Sequence, residues 1–145
     1  MAVGKRCGRA NMIQQFQHEN PFWAWMGFTI DEHAMALGNA VVRVKIRPEF
    51  LQHQRLIHGG VMSALVDSCG AWAFAMNHEE SLRTINLAVQ YLDPTPPDAE
   101  ELVARGTLVR AGRRIVVADV SVSAGHEEMV ARGQVLYSRA SSPRF

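Results

Sequence analysis

The sequence predicts an α+β fold: a curved antiparallel sheet of five to six strands wrapped around one long central helix. Three observations carry that prediction. One helix-length run, LIHGGVMSALVDSCGAWAFAM (residues 56–76), is hydrophobic nearly all round, so it has to be buried on nearly every side. Four stretches after it alternate apolar and polar residues with the period of strands. Tight glycine-containing connections, AGR and AGHEE, join the last three of them, as in an antiparallel meander.

The elements follow in order. Residues 1–10 read as a flexible N-terminal arm and 139–145 as a tail, which leaves one domain over 11–138. Met12, Ile13 and Phe16 fall at helical spacing in a short helix expected to end near Asn20-Pro21. Phe22, Trp23, Trp25 and Phe28 form an aromatic cluster with two readings: packing onto the core, or lining a ligand mouth. Val42, Val44 and Ile46 alternate with Arg43, Lys45 and Arg47 in a half-buried strand stopped by Pro48. After the helix, Ile85, Leu87, Val89 and Tyr91 fall on one face of the next strand. The turn-rich DPTPPDAEE separates it from strands expected over 101–110, 113–124 and 128–138.

Composition excludes several classes. A formal net charge of +1 does not point to nucleic acid or to an anionic membrane surface. Ser63, Asp67, Ser68 and glycines interrupt the apolar run, so it is not a membrane span. The first residues, MAVGKRCGRANMIQQ, lack the apolar core of a secretory signal, and Cys7 and Cys69 lie in unlike contexts. A cytoplasmic protein without disulfides is expected. His18, His33, His53, His78 and His126 form no helical pair and have no Cys partner, so no metal site is expected. No G-x-S-x-G elbow surrounds Ser63 or Ser68, which argues against an α/β-hydrolase mechanism.

One residue is out of place in the helix. An acid in mid-helix is ordinarily a solvent-facing one, but Asp67 has only small residues, Ser63, Ala64, Gly70 and Ala71, three and four positions away. Burying a carboxylate without a partner costs several kcal/mol, so an acid on such a face is a candidate general base or nucleophile. At the other end, Gly59 and Gly60 open the helix, where unpaired N–H groups and the positive end of the dipole make an oxyanion site. A plain turn into the helix is the simpler reading of the glycine pair. Gly59 and Asp67 are eight residues apart, roughly 12 Å along one helix. A reacting carbonyl needs both groups within about 3 Å of adjacent atoms. One chain cannot supply both; two antiparallel copies of the helix can.

HQRLIHGGVMSALVDSCGAWA, followed by TINLAVQYLDP and VRAGRR, resembles the hotdog-fold acyl-CoA thioesterases of the phenylacetic-acid-degradation (PaaI-like) family, from about Phe28 to Tyr137. The resemblance implies an edge-to-edge homodimer, often a dimer of dimers. It also implies hydrolysis of a small, medium-chain or aryl acyl-CoA with no cofactor beyond the CoA of the substrate. It further implies Asp67 as the catalytic carboxylate and Gly59 as the oxyanion donor, with Gly60 and Ser63 beside the substrate. His58 matches the motif histidine, which holds the thioester end or simply caps the turn. Gln52 falls where the family places an amide near the leaving sulfur, and Thr84 where a hydroxyl holds the attacking water. Arg55 stands where the loop usually carries a glycine, so either its conformation differs or its side chain meets a CoA phosphate. Arg110, Arg113 and Arg114 are candidates for the phosphates too, or a solvated hairpin. A non-catalytic acyl-CoA-binding module and a hotdog hydratase are the competing readings.

Overall fold

The computed structural model describes residues 8, 10–95, 97–125 and 128–140. A helical segment with a π-type turn at Gln14–His18 leads into a short helix, Pro21–Met26. Strand β1 (Thr29–Ile30), a helix at Glu32–Ala36 and strand β2 (Ala40–Lys45) follow. The central helix runs Gly59–Ala75, and four long strands complete the chain: β3 (Ser81–Tyr91), β4 (Glu101–Ala111), β5 (Ile115–Ala124) and β6 (Glu128–Ala140). All six strands form one antiparallel sheet in the order β1-β2-β4-β5-β6-β3.

The sheet curls around the central helix, which buries Leu65, Val66, Cys69, Trp72 and Phe74 against Val42, Val44, Leu102, Ala104, Val116, Val122 and Val135. Contact is close because two sheet positions lack a Cβ. One added at Gly106 would lie 2.9 Å from the Cys69 carbonyl oxygen, and one at Gly133 would lie 2.8 Å from Val66.

Several boundaries differ from those expected. Gly8 and Ala10 are already helical, so the first helix reaches into the stretch read as a flexible arm; residues 1–7 and 9 lie outside the described residues. Asn20 does not simply end that helix: its side chain accepts from the Phe22 and Trp23 N–H groups and caps a new one, with Pro21 at the first helical position. Strand β1 is the sixth strand of the expected five to six, but its position and the helix at Glu32–Ala36, both too short to leave a periodic signal, are not marked in the sequence. Strand β2 ends at Lys45, before Ile46, and β6 continues through Arg139 and Ala140, which pair with Leu82 and Ser81.

The most consequential difference is in β3. Simple alternation puts Ile85 on the face of Leu87, Val89 and Tyr91, but a bulge between Thr84 and Asn86 shifts the phase. Thr84 pairs with buried Tyr137 and Leu87 with buried Val135, so Thr84 joins the helix-facing set, while Ile85 is left 55% exposed.

Asp31 ties the front of the sheet together. Its carboxylate accepts from the Ala34 N–H at 2.9 Å and from Arg43 Nε at 2.9 Å, and Arg43 also reaches Glu101 at 2.8 Å. The Ala34 N–H, opposed by burial and helped by Arg43, holds the Asp31 carboxyl below the usual carboxylate range. A depressed folded-state pKa contributes stability that is present above the unfolded value and lost as pH falls through the folded one. Asp31→Ala is therefore expected to cost about 1 kcal/mol at pH 7, with the gap from wild type narrowing below about pH 4, as urea unfolding at several pH values will report.

Candidate active site

Two clusters of polar groups line the central helix, one at its start and one two turns further on. At the start, the chain is anchored by His58 N–H donating to the Phe50 carbonyl at 2.8 Å and Ile57 N–H to that of Thr95 at 3.0 Å. His58 is the N-cap, with extended backbone and its Nδ1 accepting from the Gly60 N–H at 2.8 Å. Of the two readings of His58, the cap is the one the geometry displays. Gly60 N–H is thereby occupied, whereas the Gly59 N–H has no acceptor among the described residues. Tyr91, from β3, lies across Gly59: its hydroxyl donates to the Gly59 carbonyl at 3.1 Å and meets the Ser63 hydroxyl. A Cβ on Gly59 would come within 3.1 Å of the Tyr91 ring.

The second cluster surrounds Asp67. Its side chain is partly exposed, and Thr84 Oγ1 donates to its Oδ1 at 2.8 Å. The acid is thus neither simply solvated nor buried without a partner. It sits at a cavity of about 450 Å³, lined by Phe16, Phe22, Trp23, Phe74 and Leu82 as well as by Asp67 and Thr84. In the aromatic cluster, Trp23 and Phe28 are buried in the core, while Phe22 and Trp23 also wall this cavity. Phe16 locks that wall by packing edge-on against Trp23 and Trp72, with ring centres 5.4 and 5.3 Å apart.

The remaining expected residues lie elsewhere. Gln52 is turned into its own loop, where it exchanges hydrogen bonds with Gln54. Arg55 adopts φ +62°, the left-handed backbone that glycine takes without strain. Arg110 and Arg113 are exposed at the far end of the β4–β5 hairpin, Arg110 opposite Val117 on the outer face. Arg113 lines a separate cleft of about 590 Å³ that borders the Asp67 cavity through Glu80. Cys69 is fully buried, and burial pushes its thiol up to about 12, which keeps it from acting as a nucleophile. Among the described residues no cluster of His, Cys, Asp and Glu could hold a metal, and no helix is long and apolar enough to cross a membrane.

An antiparallel sheet curled around one long helix is the hotdog architecture, and here it carries an N–H without an acceptor among the described residues at the helix start and a held carboxylate midway. The chain belongs to the thioesterase superfamily, whose sequence profile matches residues 54–131, more than half of its length, and it is a thioester hydrolase. It is similar to a Halobacterium salinarum protein named "Putative esterase", with 26% identity over 78% of this chain and 76% of that one. The phenylacetic acid degradation protein PaaI from Thermus thermophilus is 25% identical, over 83% of this chain and 100% of that one, with a TM-score of 0.72. A Bacillus halodurans protein solved with CoA shares the fold at 22% identity, over 79% of this chain and 72% of that one, with a TM-score of 0.68.

The cap makes a clean prediction. His58→Ala is expected to destabilise the protein by about 1 kcal/mol, and His58→Asn, which can still accept from the helix start, by a few tenths at most. Thermal unfolding of the two variants side by side checks it.

Proposed function

We propose that this chain is an acyl-CoA thioesterase acting as a homodimer, with a cavity suited to an aromatic or compact apolar acyl group. The observation that carries this reading is the Asp67–Thr84 pair at a cavity walled by Phe16, Phe22, Trp23 and Phe74. A carboxylate held from one side keeps its second oxygen free for a water, while the aromatic wall takes an acyl group and excludes bulk solvent.

In the reaction, the thioester carbonyl oxygen accepts from the Gly59 N–H of one copy, at the positive end of the central helix. Asp67 of the other copy removes a proton from water, whose oxygen adds to the carbonyl carbon. The tetrahedral intermediate collapses, the C–S bond breaks, and the proton on Asp67 passes to the departing CoA thiolate. Thr84, donating to one Asp67 oxygen, has lone pairs left to orient the water. Water and the substrate suffice for this sequence, so no further cofactor enters it. Arg55, exposed in the turn three residues before His58, is on the Gly59 side of the site and is the arginine we assign to a CoA phosphate.

Two copies are invoked because the donor and the carboxylate are eight residues apart on one helix, roughly 12 Å. The sheet supports that arrangement. Strand β3 is its last strand and leaves one edge free, and it exposes Ile85 (55%) next to Thr84 and Tyr91 (51%) beside the helix start, with Leu92 (53%) just beyond its end.

Thiol release from a panel of short, medium, long and aryl acyl-CoAs tests the activity. Asp67→Ala is expected to lose at least about 100-fold in kcat on every substrate the wild type accepts. Wild-type turnover in that variant would overturn the assignment. Co-expression tests the shared site. Gly59→Pro removes the N–H at the first helical position, where the proline backbone is allowed although its ring makes Tyr91 give way by a few tenths of an ångström, and should be as inactive as Asp67→Ala. Random mixing of the two makes about half of the dimers mixed, each with one intact site, so about a quarter of wild-type activity should return. No recovery in a verified mixed dimer would assign both groups to one chain.

A further inference from the structure

Tyr137 takes no part in the reaction just described, yet it is bound to the same residue. Its side chain, only 1% exposed, reaches from β6 to the central helix, where the hydroxyl donates to the main-chain carbonyl of Asp67 at 2.6 Å. A helical carbonyl keeps a second lone pair after its bond to the residue four positions on, and the hydroxyl takes it. The approach depends on position 70: a Cβ there would overlap the Tyr137 hydroxyl and lie 3.3 Å from the Ala118 side chain. Thr84, which holds the Asp67 carboxylate, is the direct cross-strand partner of Tyr137. Two hydroxyls from neighbouring strands therefore grip one helical residue, the first by its side chain and the second by its backbone.

A buried tyrosine needs some acceptor, and many carbonyls would satisfy that need. Here the acceptor belongs to the residue carrying the carboxylate, and the strand pair that supplies both hydroxyls is the one brought into phase by the bulge after Thr84. We infer that Tyr137 is a positioning residue for Asp67: its hydroxyl, admitted by the missing Cβ of Gly70, fixes the turn of the central helix that presents the carboxylate. Burial, and then the charge of Asp67, raise the phenol well above its usual range, so the hydroxyl remains a donor across the working pH.

The inference rests on Asp67 being the base, and its test separates the two ideas. Tyr137→Phe keeps the ring and removes only the hydroxyl. On the best substrate of the panel, kcat should fall about 10- to 100-fold while KM stays within about threefold, with circular dichroism and cooperative unfolding preserved. Gly70→Ala, which displaces the hydroxyl, should give the same split, and adding it to Tyr137→Phe should cost little more. In an Asp67→Asn background, Tyr137→Phe should leave the residual rate unchanged. A second readout needs no turnover. The ¹³C carboxyl resonance of Asp67, assigned by its loss in Asp67→Asn, should move in Tyr137→Phe and stay in place in Ser138→Ala, the outward-facing neighbour. An unmoved resonance, a loss confined to KM, or an equal loss in the Asp67→Asn background would overturn the positioning role. If the wild type hydrolyses nothing in the panel, the acyl-CoA reading fails, and the carboxyl resonance alone decides the role of Tyr137.

Discussion

The close seating of one helix in a curled sheet is the constraint on which the rest of this molecule depends. The helix has almost no polar face to offer water, so the sheet has to cover it, and Trp72, Leu65, Val66 and Cys69 are sealed completely. Truncating any one of the large ones would cost on the order of 2–5 kcal/mol. Where β4 and β6 press hardest, Gly106 and Gly133 carry no side chain, because the Cys69 carbonyl and the Val66 methyl already occupy the space. A helix held this tightly has little freedom to rotate or slide. The groups it presents on its one accessible side, toward β3 and the N-terminal segment, inherit that precision.

That geometry explains what was legible in the sequence. The central helix, the later strands and the anomaly of Asp67 could be read because each rests on periodicity, and periodicity reflects burial. What escaped depends on contacts with no period. The two-residue β1 and the helix capped by Asp31 are too short to repeat. Thr84 faces the helix only because a bulge resets the alternation of β3, and nothing in TINLAVQ marks where the extra residue goes. Tyr137 finds a backbone oxygen, which leaves no trace in residue type. Gln52 was placed by resemblance, and its own loop claims its amide through Gln54. At Arg55 the side chain departs from the usual glycine, yet the backbone is of the glycine kind.

The two polar clusters are built by the same means. Each pairs a helix group with a hydroxyl from the sheet: Tyr91 at Gly59, Thr84 and Tyr137 at Asp67. Each also uses a glycine as the point of close approach, Gly59 against the Tyr91 ring and Gly70 against the Tyr137 hydroxyl. The helix rise keeps the two clusters roughly 12 Å apart within one chain. Under the proposed mechanism, activity is a property of the assembly, and dilution below the dimer dissociation constant removes it without unfolding anything.

The cavity wall divides the labour differently. Phe16, Phe22 and Trp23 come from the first quarter of the chain, ahead of the stretch that matches the superfamily profile, whereas Gly59, Asp67 and Thr84 lie inside it. The N-terminal segment is fastened to the sheet by few polar contacts, among them Gln17 accepting from the Ile30 N–H at 2.9 Å. Its apolar contacts reach further: Phe16 packs on Trp72 of the central helix, and Trp23 is part of the core, whereas Phe22 is 48% exposed at the cavity rim. Under the proposed mechanism the exposed rim of the mould is therefore the part that can be recut for a different acyl group, while its base is shared with the core that seats the carboxylate.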